Sequence, residues 1–356
     1  MAALQRIVEL NQCCRRRRRS EVVYVNAYIR TTFSPLDVLS DGAILRKYRL
    51  SRGQIEELGT FTQRHLERAT RRNFALSPRV QLLAALRFHA TGSFLEVLGD
   101  GLGLSKASVS RAVTAVTQVL LQLPDRMTFP SAPEDITHVS GGFHAIAGIP
   151  RVIGAIDGTL VRIRGPSHKE PAYICRKGYP ALNIQVVCDH RGVFLDIVAK
   201  WPGSTHDSFV WTNSALCQVA EGGGFGGCWL LGDSGYPLRP FLMTPIQEAN
   251  SEAEEQYTNA HSRTRVVVER ALGMWKQRFR CVSNSAGGLK LHPTKACGVV
   301  VVTALLHNMA LQDGVPLPGD EEMLVEEVEE VVPAAGGNLP DGLEARRQLI
   351  NHMFGP

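Results

Sequence analysis

Two short metal signatures are missing from this chain: no pair of cysteines stands at C-x-x-C spacing, and no H-E-x-x-H occurs. A structural zinc site is therefore not expected. Nor does the chain hold an uncharged apolar run of the ~18 or more residues that a membrane-crossing helix needs, so no membrane association is expected. The N-terminus "MAALQRIVELNQCCRRRRRS" lacks the order of a secretory signal, because its basic run follows the weakly apolar part. The eight cysteines are scattered singly apart from Cys13-Cys14, which reads as reduced thiols in a cytosolic or nuclear protein.

What is present is ordinary in bulk and uneven in charge. A chain of 356 residues can bury a sizeable core and predicts two domains. Hydrophobic content of 44% and charged content of 21% fit a globular protein. The net charge is +5, yet Asp320–Glu330, "DEEMLVEEVEE", holds seven acids and no base, so the remainder carries +12. A body that basic suits a polyanion such as nucleic acid, and a solvated surface with an acidic tail fits equally. Arg15, Arg16, Arg17, Arg18 and Arg19 form an unbroken basic run. It reads as a nuclear import signal, as a phosphate-binding arm or as a plain solubilising extension.

Residues 1–40 are expected to be a basic, flexible segment, and 41–130 a helical domain. Leu45, Tyr48, Ile55, Leu58, Phe61 and Leu66 fall near helix spacing. Ser77-Pro78 starts a further helix and Gly92 stops it. In "SFLEVLGDGLGLSKASVSRAVTAVTQVLLQL" a short helix from Ser93 to about Gly99 meets a turn at Gly101–Gly103, and Ser105 caps a longer helix. That is helix-turn-helix spacing, with Lys106, Ser108 and Arg111 early on the second helix, where DNA contacts would lie. A helical hairpin within a core has the same pattern.

Residues 131–149 are Pro- and Gly-rich and read as a connection. From 150 to 312 the pattern predicts strands and helices of an α/β layer with a mixed sheet. "VIGAIDGTLVRIR" is one strand, and "ALNIQVVCDHRGVFLDIVAKWPGS" is two more, turning at Asp189–Gly192. "HDSFVWTNSALCQVA" reads as a helix, "CWLLGDSGYP" as a strand, and "SRTRVVVERALGMWKQRFRCV" and "TKACGVVVVTALLHNMALQ" as helices. Residues 313–356 form the acidic C-terminal tail, although "LEARRQLINHMF" has apolar residues at helical spacing.

Three acids break local patterning. Asp157 interrupts an apolar strand, Asp233 ends "CWLLGD", and Glu269 sits in the apolar stretch "VVVERAL". A buried carboxylate needs a partner or a metal, and oxygen ligands suit Mg²⁺ or Mn²⁺. Any one acid alone reads more simply as a cap, a turn residue or an ion pair. Arg265, Glu269 and Lys276, at ~100° per residue, fall within roughly 40° of one another on the helix, a carboxylate between two bases. His206 and Asp207 are secondary candidates, Asp207 being read chiefly as a helix cap. Arg176 and Lys177, in "YICRKGYPALN", read as DNA contacts or as a loop.

"GAIDGTLVRI", "WPGSTHDS", "LLGDSGYPL" and "AHSRTRVVVERALGMWKQRFRC", with "TGSFLEVLGDGLGLSKASVSR" upstream, resemble PIF/Harbinger DNA transposases and the animal nucleases derived from them. The resemblance runs from about Leu82 to His307. It implies an RNase H-like α/β nuclease domain preceded by the all-α, helix-turn-helix-containing domain. It implies a DDE triad at Asp157, Asp233 and Glu269, holding two Mg²⁺ or Mn²⁺ ions ~3.5–4 Å apart. Gly158 would leave room for a phosphate, and Arg265, Arg270 and Lys276 would grip the DNA. The R-x3-E-x6-K pattern matches a Tyr-Arg-Glu-Lys signature, except that Ser262 stands at the tyrosine position. The implied activity is metal-dependent hydrolysis of phosphodiester bonds at transposon ends, with joining of 3′ ends to target DNA. The alternative is a domesticated DNA- or protein-binding module without catalysis. The implied partners are DNA, a Myb-like DNA-binding protein and further copies of the chain, as a homodimer or larger assembly on DNA. The expected location is the nucleus, and also the cytoplasm.

Overall fold

The computed structural model describes residues 35–67, 75–123, 126–167, 170–317 and 339–355. The arginines at 15–19, Cys13-Cys14 and the acidic run at 320–330 lie outside these residues. The chain divides into two compact units, residues 1–122 and 123–356.

The first unit is helical: α1 (Pro35–Val38), α2 (Asp41–Tyr48), α3 (Arg52–Leu66), α4 (Pro78–Thr91), α5 (Leu95–Leu102) and α6 (Lys106–Leu120). Serines start four of them. Ser40, Ser51, Ser77 and Ser105 each accept a hydrogen bond from a first-turn backbone N–H, satisfying a donor that the helix leaves orphaned. Ile44, Tyr48, Ile55, Leu58 and Leu66 are buried, whereas Leu45 and Phe61 are half-buried. α5 runs past the expected stop near Gly99 and ends at Gly103, which takes the left-handed conformation that favours glycine. Gly99 itself serves packing, since a Cβ there would stand 2.3 Å from the Leu104 carbonyl oxygen. Lys106 and Arg111 are exposed on α6 and Ser108 is half-buried, its Oγ accepting from the Arg111 guanidinium at 3.3 Å.

The second unit opens with α7 (Pro133–Ala147), inside the stretch read as a connection. Pro133 at its start, Glu134 and Asp135 in its first turn, and buried Val139 and Phe143 make it helical. Gly141 and Gly142 hid the pattern. Gly142 is needed there, because a Cβ would lie 2.3 Å from the His190 ring.

The strands are β1 (Val152–Arg162), β2 (Ala181–Cys188), β3 (Phe194–Pro202), β4 (Trp229–Leu231) and β5 (Leu242–Met243), in the order β3-β2-β1-β4-β5. β1–β2 and β2–β3 are antiparallel, and β1–β4 and β4–β5 are parallel. The sheet is therefore mixed, as the pattern predicts. Asp189 shapes the β2–β3 turn as expected, its carboxylate accepting from the N–H groups of Arg191 (2.8 Å) and Val193 (2.9 Å). A short helix, α8 (Glu170–Tyr173), lies between β1 and β2.

"HDSFVWTNSALCQVA" folds as two helices, not one: α9 (Asp207–Thr212) and α10 (Ala215–Glu221). The break is local, since Ser214 caps the second by accepting from Cys217 N–H at 3.0 Å. Trp211, Leu216 and Phe225 pack with Ile153, Ile156, Val187, Leu230, Tyr236 and Leu242 into one core. α11 (Glu252–Arg278) begins at its Ser251 cap, well upstream of the expected start. α12 (Pro293–Gln312) is pinned to the sheet by Asn308, which accepts from Phe194 N–H at 2.8 Å and donates to its carbonyl at 2.7 Å. Among the described residues α12 alone is long and apolar enough to cross a bilayer, and most of it is buried within this unit. α13 (Pro340–Phe354) lies within the expected tail, with Leu349 and Ile350 buried.

Candidate active site

The site begins where the sheet opens. β4 pairs with β1 at Val152, Gly154 and Ala155 and then ends at Leu231. From Asp157 onward β1 keeps its β2 neighbour, Asp157 opposite Val186 and Gly158 opposite Gln185, but has no β4 partner. Carboxyl ends of parallel strands are where crevices form in open α/β sheets. Asp157 and Gly158 are the two half-buried positions in the interior of an otherwise buried strand.

Backbone groups orient the two aspartates. Gly158 N–H donates to Asp157 Oδ1 at 2.9 Å. Asp233, two residues past β4, accepts from Gly235 N–H at 2.9 Å, which turns the chain sharply. Glu269 comes from α11, one turn beyond Arg265 and on the same face.

Arg265 joins two of these acids. It lies 3.5 Å from Asp157 Oδ2 and also pairs with Glu269. Its side chain and that of Asp157 are each 17% exposed, whereas Glu269 is 42% exposed. Burial pushes the Asp157 carboxyl up to about 8; Arg265 opposes that shift, and Asp233, Asp207 and Glu269 add to it. Each of these acids therefore stands within the electrostatic reach of Asp157. Tyr236 is also buried, and its hydroxyl finds no hydrogen-bond partner among the described residues. Burial pushes that phenol well above its ordinary range, and Asp207, Asp157 and Asp233 add to the shift.

Asp207 is the residue whose place the sequence did not disclose. It is not the cap of α9: His206 is, its Nδ1 accepting from Ser208 N–H at 3.3 Å. Asp207 instead turns to the sheet, where its Oδ1 accepts from Asn183 Nδ2 at 2.7 Å. The room at Gly158, expected to admit a phosphate, faces that carboxylate: a Cβ there would stand 2.6 Å from Asp207 Oδ1. Successive strand residues point to opposite faces, so Asp157 and Asp207 stand on two sides of one strand end. A glycine next to the strand acid was the available signal, read for the wrong neighbour.

The donor set is all oxygen, which fits a hard divalent cation. The expected convergence within a few ångströms is not what the structure shows, since no three His, Cys, Asp or Glu side chains among the described residues are gathered closely enough to hold an ion. Arg265 stands between two of the acids, Asp157 and Glu269. The expected phosphate grip divides. Arg270 is exposed, but Arg265 is committed to carboxylates, and Lys276 is 6% exposed because the end of α11 is covered, with Trp275, Gln277 and Arg278 also buried. Arg176 and Lys177 are exposed at the turn closed by Gly178 N–H donating to the Cys175 carbonyl.

Residues 156–308 match the family model described as DDE superfamily endonuclease, a span that begins beside Asp157 and takes in Asp207, Asp233 and Glu269. The chain is 37% identical over 298 residues to putative nuclease HARBI1 of Homo sapiens, covering 82% of this chain and 85% of that protein. The Xenopus laevis protein of the same name is 36% identical over 278 residues, 78% of this chain and 80% of that one. Protein ALP1-like of Arabidopsis thaliana is 27% identical over 254 residues, 66% of this chain and 61% of that one. No solved structure gives a significant match. The chain belongs to the family of Harbinger transposase-derived nucleases that carry a DDE superfamily endonuclease domain.

Proposed function

We propose that the second unit is a divalent-metal-dependent DNA endonuclease of DDE type on an RNase H-like sheet, cutting phosphodiester bonds at transposon-like ends. The strand order β3-β2-β1-β4-β5, with β1, β4 and β5 parallel, supports the fold reading. The observation that carries the chemistry is Asp157, held at the open end of β1 within electrostatic reach of Asp233 and Glu269. Asp157, Asp233 and Glu269 would hold the ions. Divalent ions bound there would neutralise the phosphate and activate the attacking oxygen. The Gly158 and Gly235 amides aim the two aspartates, and Arg265 bridges Asp157 and Glu269 until DNA enters. Arg270, Arg176 and Lys177, with Lys106 and Arg111 of the first unit, are exposed bases that would contact phosphate.

The test is cleavage of duplex DNA carrying candidate terminal inverted repeats, with Mg²⁺ or Mn²⁺. Asp157→Asn, Asp233→Asn and Glu269→Gln are expected to lower the rate by orders of magnitude while far-ultraviolet circular dichroism is unchanged. Calorimetric titration with Mn²⁺ separates this from a binding module without catalysis, which would show neither metal uptake nor cleavage.

A further inference from the structure

Beside the acids, on the α9 side of the sheet, lies an open cavity of about 650 Å³, lined among others by Thr205, His206, Phe209, Asn213, Pro237 and Arg239. Its size falls within the ~300–1,000 Å³ range of small-ligand sites. Two chain segments separate it from the acid cluster, and both face both ways. His206 and Ser208 line the cavity while Asp207 between them points to Asn183 and Gly158. Pro237 lines it while Tyr236 is buried towards the acids. The cavity and the acid cluster therefore share the segments around Asp207 and Tyr236 as a common wall.

The cavity wall carries a ring placed where solvent would ordinarily exclude one. Phe209 is 49% exposed, and among the described residues of this unit it is the exposed Phe, Tyr or Trp side chain. Its orientation is fixed by Trp201, whose ring meets it edge-on at 5.0 Å and 84°. Lys200 Nζ in turn lies 5.2 Å from the centre of the Trp201 ring. The polar groups around the ring include the Asn213 amide, whose Nδ2 donates to the Phe209 carbonyl at 2.8 Å. Arg239 adds a cation at the rim, its Nη1 bonded to the Leu238 carbonyl at 2.8 Å. An exposed, braced aromatic face with an amide and cations around it is what an unstacked nucleobase needs: a stacking surface first, edge contacts second.

We propose that this cavity receives a nucleobase of the DNA strand under attack, extruded next to the scissile phosphate and stacked on Phe209. The inference rests on the endonuclease reading for its ligand. It commits to a base within a strand, since the proposed reaction cuts a phosphodiester bond, which joins two nucleotides. It also gives the exposed Phe209 ring a purpose that core packing does not.

The test needs no cleavage. The full-length protein is titrated, without divalent ions, with a fluorescein-labelled single strand of dT and with the same strand made abasic at its central positions. Phe209→Ala, at a half-exposed site, is expected to weaken binding of the dT strand about tenfold and leave the abasic strand unaffected. Phe209→Trp is expected to restore the dT affinity. A 2-aminopurine placed centrally in the dT strand should be quenched by wild type and by Asp157→Asn, and not by Phe209→Ala. Equal loss on both strands, or no loss on either, overturns the proposal, as does wild-type protein that binds both strands alike. Millimolar thymidine monophosphate that competes fully with the dT strand would mean a mononucleotide site and would also overturn it. Base-dependent binding without any cleavage under Mg²⁺ or Mn²⁺ would sink the endonuclease reading alone, so the two failures are distinguishable.

Discussion

At the scale of single residues, the site holds charge at the expense of stability. Asp157 has its carboxyl raised to about 8 by burial and neighbouring acids. Between its ordinary range near 4 and 8 the folded chain holds a proton that the unfolded chain has lost, so stability falls as pH rises through that window. Asp157→Asn removes the effect. In chelator at pH 8 the variant should melt higher than wild type by ~2–4 °C for each kcal/mol recovered, and the gap should close near pH 4. Cleavage moves the other way, the usual trade between activity and stability. A melting temperature that falls at pH 8 would mean that Arg265 compensates the carboxylate fully. Gly158 gives a second prediction. Its Cβ would stand 2.6 Å from Asp207 Oδ1, so Gly158→Ala should cost ~1–3 kcal/mol in urea unfolding. Adding Asp207→Ala should return part of that cost, because the two changes share one contact. Additive losses would show that the alanine clashes elsewhere.

At the scale of elements, two adjacent glycines in α7 make opposite predictions. Gly141 has nothing within 4 Å of its Cβ position, so Gly141→Ala should stabilise by the ~1 kcal/mol that separates the two residues in a helix. Gly142→Ala has the same propensity gain but meets the His190 ring, so it should destabilise. Thermal melts of both variants check the pair, and equal signs would refute the packing account. The same helix shows why part of the fold was illegible. Its Pro133 start and its Val139 and Phe143 spacing were present in the sequence, but two central glycines read as a loop because their use is tertiary. β5, at two residues, is too short for alternation to show. The β1, β2 and β3 strands and the caps at Ser77 and Ser105 were legible because each depends on neighbours in sequence. The Asp157 anomaly was legible for the same reason. The Arg265 bridge from α11 to β1, the burial of Lys276 and the turning of Asp207 onto the sheet were not, since each needs an element remote in the chain.

At the scale of the whole molecule, acid stability is set by histidines buried in both units. His89 and His261 are lowered to about 4 and His307 to about 3, chiefly by burial. Below the ordinary value of 6.5 the unfolded chain takes up protons that the folded chain refuses, so stability falls as pH drops from there towards 4. Each contributes ~1.4 kcal/mol per pH unit to that slope. Replacing His307 by Gln should flatten the slope by about one such contribution, and an unchanged slope would mean that the ring is already charged in the folded state. A second whole-chain expectation concerns α13, which buries Leu349 and Ile350 and reaches the Thr244 carbonyl through Arg346. Ending the chain before Pro340 should therefore lower the melting temperature of the second unit, whereas a merely solvated tail would leave it unmoved. The strand order has a consequence for biosynthesis. β1 waits for β4 across 77 residues, from Val152 to Trp229, and Glu269 emerges later still. A ribosome that terminates before α11 releases a chain with its hairpin made and its acids incomplete, so a message broken upstream of α11 yields no proposed blade at all.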